Sequence, residues 1–161
     1  NTKKEDKNMA RSYAITTPAS SFTPSTTVAF AAIYCVGGTV RSRLYEIITA
    51  SSASLNDYSS RWQVSRLTTA PSNGTGQTPA PLDSQDPASI NTGMIATITG
   101  NGSLGTTLMA WAVNLRATFR WVAAPTKELV GQASANCGLA LMLMAQQGAN
   151  HAVDTTMFYE E

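Results

Sequence analysis

Between Met109 and Trp121 every odd position is apolar: Met109, Trp111, Val113, Leu115, Ala117, Phe119 and Trp121. From Asn114 onward the positions between them are Asn114, Arg116, Thr118 and Arg120. A helix would scatter those apolar side chains around its axis, whereas a strand places them all on one face. The run exceeds the usual strand of about 5–6 residues, so it is expected to bend or break once. Helical periodicity is almost absent; one helical turn over Ser54–Tyr58 is the sole helical expectation.

Other segments share the strand signature. In Thr26–Val36, the residues Val28, Phe30, Tyr34 and Val36 fall on one face and small Ala29 and Ala31 on the other. In Arg41–Ile48, Arg41, Arg43, Tyr45 and Ile47 share a side, and Arg61–Thr68 places Trp62 and Val64 together. Gly93–Thr99 is rich in β-branched residues, Val153–Tyr159 reads as a closing strand and Arg11–Thr17 as an opening one. Cys137–Met144 is apolar at nearly every position, the mark of a strand covered on both faces. Gly37-Gly38, Asn101-Gly102 and Asn150 punctuate these runs, and Ala70–Ser89, with Pro71, Pro79, Pro81 and Pro87, reads as a long loop. Eight or nine strands without a repeat predict an all-β chain, a single jelly-roll-like antiparallel sandwich. Residues 1–25 would form an N-terminal arm with a first strand, and residues 26–161 the sandwich. Met9-Ala10-Arg11-Ser12 reads as an alternative start, which would make residues 1–8 an upstream extension.

Composition narrows the function. Only 13% of the 161 residues are charged and the net charge is +1, so the bulk charge exerts no pull on nucleic acid. A polar but weakly charged surface suits packing against protein. Lys3, Lys4, Lys7 and Arg11 concentrate cations near the N-terminus, interrupted by Glu5 and Asp6, which describes a solvated arm. Arg116 and Arg120 share a face opposite Phe119 and Trp121, so they lack the coplanar aromatics of a single-strand binding platform; contacts to carboxylates, within the chain or across an interface, fit better. Cys35 and Cys137 lack zinc-site spacing and lie in apolar runs, reading as buried free thiols, with a disulfide between the sheets as the alternative. The apolar run Val28–Val36 is too short to cross a membrane, and no secretory leader is recognised.

Chemistry-bearing groups are sparse. The single histidine, His151, sits beside Asn150 and is expected in an exposed turn; no nucleophile elbow accompanies it. Asp83 and Asp86 share the proline-rich loop, where turn hydrogen bonding explains them better than calcium. Asn73-Gly74-Thr75 and Asn101-Gly102-Ser103 read as turns rather than glycosylation sites. No catalytic group, metal ligand or cofactor is expected, and the chain is not expected to be an enzyme.

From Val40 onward the chain resembles a widespread family of small, uncharacterised phage virion-associated proteins. The resemblance rests on several pieces: Ser51-Ser52 before a polar loop, a strand ending Leu67-Thr68-Thr69, and the loop Thr78-Pro79-Ala80-Pro81-Leu82-Asp83-Ser84-Gln85-Asp86-Pro87-Ala88. To these it adds Phe119-Arg120-Trp121 with Pro125 and Glu128, a Gly138-Leu139 strand, and the ending Phe158-Tyr159-Glu160-Glu161. The Thr-Pro-x-Pro-Leu-Asp loop is the most specific piece. The resemblance implies a structural virion protein, assembled in the host cytoplasm and carried on the particle. Foremost is a capsid cement or decoration protein clamping neighbouring capsid subunits. A tail, fibre or filament subunit and a carbohydrate-binding module on the virion surface are the alternatives. Expected partners are the major capsid protein or other virion proteins and further copies of the chain, with a trimer foremost; neither nucleic acid nor membrane is expected. Loops and termini commonly carry contacts, so the interface candidates are Lys3, Lys4, Lys7, Arg11, Arg116, Arg120, Pro79, Pro81, Asp83 and Asp86.

Overall fold

A computed structural model describes residues 10–23, 25–53, 57–145 and 150–161. The described residues hold twelve strands and no helix. They are β1 (Ser12–Phe22), β2 (Val28–Cys35), β3 (Arg43–Ala53), β4 (Ser59–Leu67), β5 (Thr75–Gln77), β6 (Ala80–Pro81), β7 (Thr92–Ile98), β8 (Leu104–Asn114), β9 (Phe119–Val122), β10 (Leu129–Val130), β11 (Cys137–Leu143) and β12 (His151–Glu160). The residues expected to form a helical turn fall partly outside the described set, at 54–56.

The strands form two antiparallel sheets. The first runs β10-β3-β12-β1-β6, with β9 also on β3; the second runs β5-β7-β2-β11-β4-β8. Eight strands trace the frame, with β1-β12-β3-β9 in one sheet and β2-β11-β4-β8 in the other. Along this frame the chain crosses between the sheets at every step except β4 to β8, which pair side by side, and early strands pair with late ones, β1 with β12 and β2 with β11. That path is a jelly roll, as its two-layer periodicity predicts. β1, grouped with the arm in the sequence reading, lies between β12 and β6 inside the first sheet. Of the four additional strands, β5, β6 and β7 arise from the segment between β4 and β8, and β10 lies between β9 and β11.

The Met109–Trp121 run is broken, and its halves belong to different sheets: β8 pairs with β4, and β9 with β3. Asn114 makes the break. Its side-chain oxygen accepts the Arg116 amide at 2.9 Å and its carbonyl accepts the Ala117 amide at 2.9 Å. The alternation survives because both halves turn their apolar side to the same interior. Trp62, Trp111 and Phe119 stack in series there, with centroid separations of 6.3 and 4.4 Å, and Phe30 meets Trp62 edge-on at 5.6 Å. This column joins the two sheets along the side where β8 and β9 lie.

Two face assignments change. Tyr34 packs with Ala29 and Ala32 on the outer side of the second sheet, while Val28, Phe30, Ala31 and Ile33 face the main core. The β2–β7 register jumps between Ala29 and Ala31, and Ala96 of β7 takes φ 58° there, so a bulge resets the alternation. A second irregularity sets Phe158 opposite Glu46 and Tyr159 opposite Leu44, which puts Leu44 and Ile47 in the core while Arg41 and Arg43 stay exposed.

β2 and β11 are buried at every position. Their outer side, with Leu67 and Ile98, forms a second apolar cluster of Ala29, Ala32, Tyr34, Ala140 and Met142. Two connecting segments cover it. Residues 68–72 run antiparallel to 100–103, joined by Thr68 N–H to Ser103 O at 2.9 Å and paired hydrogen bonds between Ser72 and Gly100 at 2.8 and 3.1 Å. Ala70 packs onto the cluster, and a Cβ at Gly74 would meet Met94 and Ile98. Asn101 ties this cover to β2, accepting from Ala29 N–H at 2.7 Å and donating to Thr27 O at 3.1 Å. The Asn101-Gly102 pair therefore imitates a strand neighbour. Gly102 has φ +69°, and a Cβ there would lie 2.5 Å from Thr69 O.

Candidate interaction surfaces

The expected long loop is built rather than slack. β5 extends the second sheet beside β7, and β6 pairs with β1 through Tyr13↔Pro81 and Ala14↔Ala80. Pro81 is compatible with a strand because β6 is a two-residue edge. Pro79 is buried and Pro81 half-buried, so both anchor the loop. Asp83 is exposed; its carboxylate accepts the Gln85 amide at 2.9 Å and its carbonyl the Asp86 amide at 3.0 Å. The Asp86 carboxylate lies 4.0 Å from the Arg11 guanidinium. The Tyr13 hydroxyl donates to Pro87 O at 3.1 Å.

Glu161 holds the end of this loop. Its carboxylate accepts from the Ile90 amide at 3.1 Å, from the Asn91 amide at 2.9 Å and from the Ser89 hydroxyl. The Tyr159 hydroxyl lies 2.7 Å from Ser89 Oγ. Burial, followed by the nearby Glu161 charge, pushes the Tyr159 phenol far above its ordinary value, outweighing the opposing Ser89 hydrogen bond. Nothing in the local sequence pairs Glu161 with Ser89–Asn91; the contact depends on the jelly roll bringing β12 beside β1.

Arg116 and Arg120, expected on one strand face, are separated. Arg116 lies in the turn after β8 and meets Asp57 at 2.8 Å; Arg120 lies on β9 and meets Glu46 at 2.7 Å. Both salt bridges are exposed on the arginine side and are worth little energetically, but they answer the arginine charge within the chain. Phe119 and Trp121 face inward while Arg120 faces outward. Lys3, Lys4 and Lys7 lie outside the described residues.

His151 is only 2% exposed, not in an exposed turn; it opens β12 opposite Phe22 and continues inward the alternation Val153, Thr155, Met157, Tyr159. That alternation was the available signal, hidden by the preceding asparagine. Cys35 and Cys137 are free and buried. They are register partners on adjacent strands of one sheet, so a bond between them could not pin two sheets. Burial opposes the Cys35 thiolate, but the Val40, Thr39 and Gly38 amides and the Thr39 hydroxyl outweigh it and hold the thiol below its ordinary value. Among the described residues no group of three or more His, Cys, Asp or Glu is arranged to hold a metal ion.

Comparison with protein-family models, with curated proteins and with solved structures returns no match for the chain.

Proposed function

We propose that this protein is a structural component of a phage virion, a cement or decoration protein that clamps neighbouring capsid subunits, and that it performs no catalysis. The observation carrying the reading is the jelly-roll path β1-β12-β3-β9 over β2-β11-β4-β8, an architecture recurrent in viral capsid proteins. Fold alone does not assign a role. Two surface properties add support. Arg116, Arg120 and Arg11 are answered by Asp57, Glu46 and Asp86 within the chain, leaving a surface with little net field to steer a charged ligand. The Pro79–Asp86 loop is held to the body by β6 and Arg11, and Glu161 fastens Ser89–Asn91 just after it, so the loop presents Asp83 and Leu82 from a fixed base. A pre-ordered loop loses less entropy on docking. The carbohydrate-binding alternative is weakened because Trp62 is buried and Trp111 and Trp121 pack on the core rather than forming a platform.

The test uses heads of the phage that encodes the protein, prepared with and without its gene. Heads lacking the protein are expected to lose DNA at lower temperature and lower salt, with saturable add-back restoring them. Equal head stability together with no binding on add-back would refute the reading.

A further inference from the structure

The second sheet ends in a long free edge. β8 has β4 as its strand neighbour and, among the described strands, none on its other side. It is eleven residues long. The other sheet ends are short: β5 has three residues, β6 two including Pro81, β10 two, and β9 four with Arg120. Proteins blunt exposed edges by shortness, proline, charge or bulges. β8 carries neither proline nor charge, and no Asp, Glu, Lys or Arg occurs anywhere from Pro87 to Leu115. Its pairing with β4 is irregular only in the first half, opposite Val64–Leu67; Met109–Asn114 runs in unbroken register with Val64–Ser59.

We propose that β8 is a self-association edge, pairing antiparallel with β8 of a second copy about a two-fold axis and joining the second sheets of two chains into one. A second copy is the favoured occupant because the edge is self-complementary. A two-fold perpendicular to the sheet keeps both interiors on the same side, so inward residues must pair with inward residues. With the axis at Trp111, Met109 meets Val113 of the partner subunit, and Ala110 meets Ala112 of the partner subunit on the outer face. Both alanines are exposed and small, and no charge lies within the paired stretch to oppose its own copy. Pairing over Met109–Val113 supplies about five hydrogen bonds, the low end of the roughly 10 ± 5 of a typical interface. This predicts a reversible dimer. The inference is independent of the virion role. A closed trimer, expected of a cement protein, cannot pair identical edges antiparallel around its three-fold, so particle mass distinguishes the two.

Light scattering over a dilution series reads the mass directly. The wild-type protein is expected to approach twice the 17.0 kDa of the chain on concentration. Ala110→Lys would set an amine opposite Ala112 of the partner subunit, whose register neighbour in its own sheet is Arg61. Like charge across the join should weaken the dimer about a hundredfold or more. The thermal midpoint of dilute protein should stay within error of wild type, as should that of the control Ala124→Lys. Independently, A110C/A112C should form a covalent dimer with glutathione disulfide under native conditions, where Cys35 and Cys137 are buried. A wild-type monomer at every concentration, a trimer, or a dimer that Ala110→Lys leaves intact would overturn the proposal.

Discussion

Replacing Glu161 by alanine tests whether the jelly-roll termini secure the inserted loop. The carboxylate takes three donors: the Ser89 hydroxyl and the Ile90 and Asn91 amides. Hydrogen bonds to a charged acceptor contribute about 1.5–3 kcal/mol each when shielded. Ile90 is 57% exposed, so water replaces its lost acceptor and it contributes little. Asn91 is 3% exposed and Ser89 half-buried, so those two carry the effect. After discounting for the half-exposed carboxylate, the expected loss is about 2–3 kcal/mol. For a chain of this size 1 kcal/mol moves the midpoint by about 2–4 °C, so calorimetry should show a fall of roughly 5–10 °C. Hydrogen exchange gives the local reading: the Asn91 amide should exchange faster by more than the global destabilisation, and the Leu141 amide should follow only the global change. Glu161→Gln keeps an acceptor oxygen without the charge and should lose about half as much. A midpoint within 1 °C of wild type, or Asn91 exchange that tracks Leu141, would refute the latch.

Two further outcomes follow from the packing. Gly138→Ala would place a Cβ 1.9 Å from Ile33 O between two strands buried on both faces, and is expected to cost about 3 kcal/mol or more in urea unfolding; a loss below 1 kcal/mol would show that β2 and β11 can separate freely. Tyr159 is fully buried with its phenol pushed upward, so above about pH 10 the unfolded chain ionises while the folded one stays neutral, and stability falls by about 1.4 kcal/mol per pH unit for this group; Tyr159→Phe should flatten the alkaline slope of the stability curve, and an unchanged slope would show that Tyr159 ionises as readily folded as unfolded.

Where each side chain's environment is set by its own strand, the sequence was readable. Cys137–Leu143 announced burial on both faces because no polar residue interrupts it, and the cover over it is the segment around Ala70. Trp62 and Val64 lie together in the core as their spacing predicts. Legibility failed where one strand's geometry is fixed by another. Tyr34 left its predicted face because of a bulge between β2 and β7, accompanied by the left-handed Ala96, and nothing within Val28–Cys35 encodes that. β5, β6 and β10 have two or three residues, too few for any periodicity, and exist through distant partners such as Ala14 for Ala80. The arginines pair with carboxylates as expected, but their partners were illegible for the same reason: Asp57 and Glu46 lie 59 and 74 positions from Arg116 and Arg120, so charge alone could say that a carboxylate would answer, but not which.

The segment between β4 and β8 links stability to presentation. Without it, Ala29, Ala32, Tyr34, Ala140 and Met142 would face water, because β2 and β11 have no polar outer side. The same segment leads through β5 and β6 into the Asp83–Asp86 turn and returns through Ser89–Asn91 to β7. Its closeness to the sheet depends on Gly102 and Gly100, where added side chains would strike Thr69 and Ser72. The cover cannot loosen without exposing apolar surface, and the loop cannot shift far without pulling on the cover. Selection for a filled second cluster therefore also fixes where the proline loop stands, whatever partner reads it. The long edge of β8 lies beyond this cover, on the far side of β4, and no other described strand covers it.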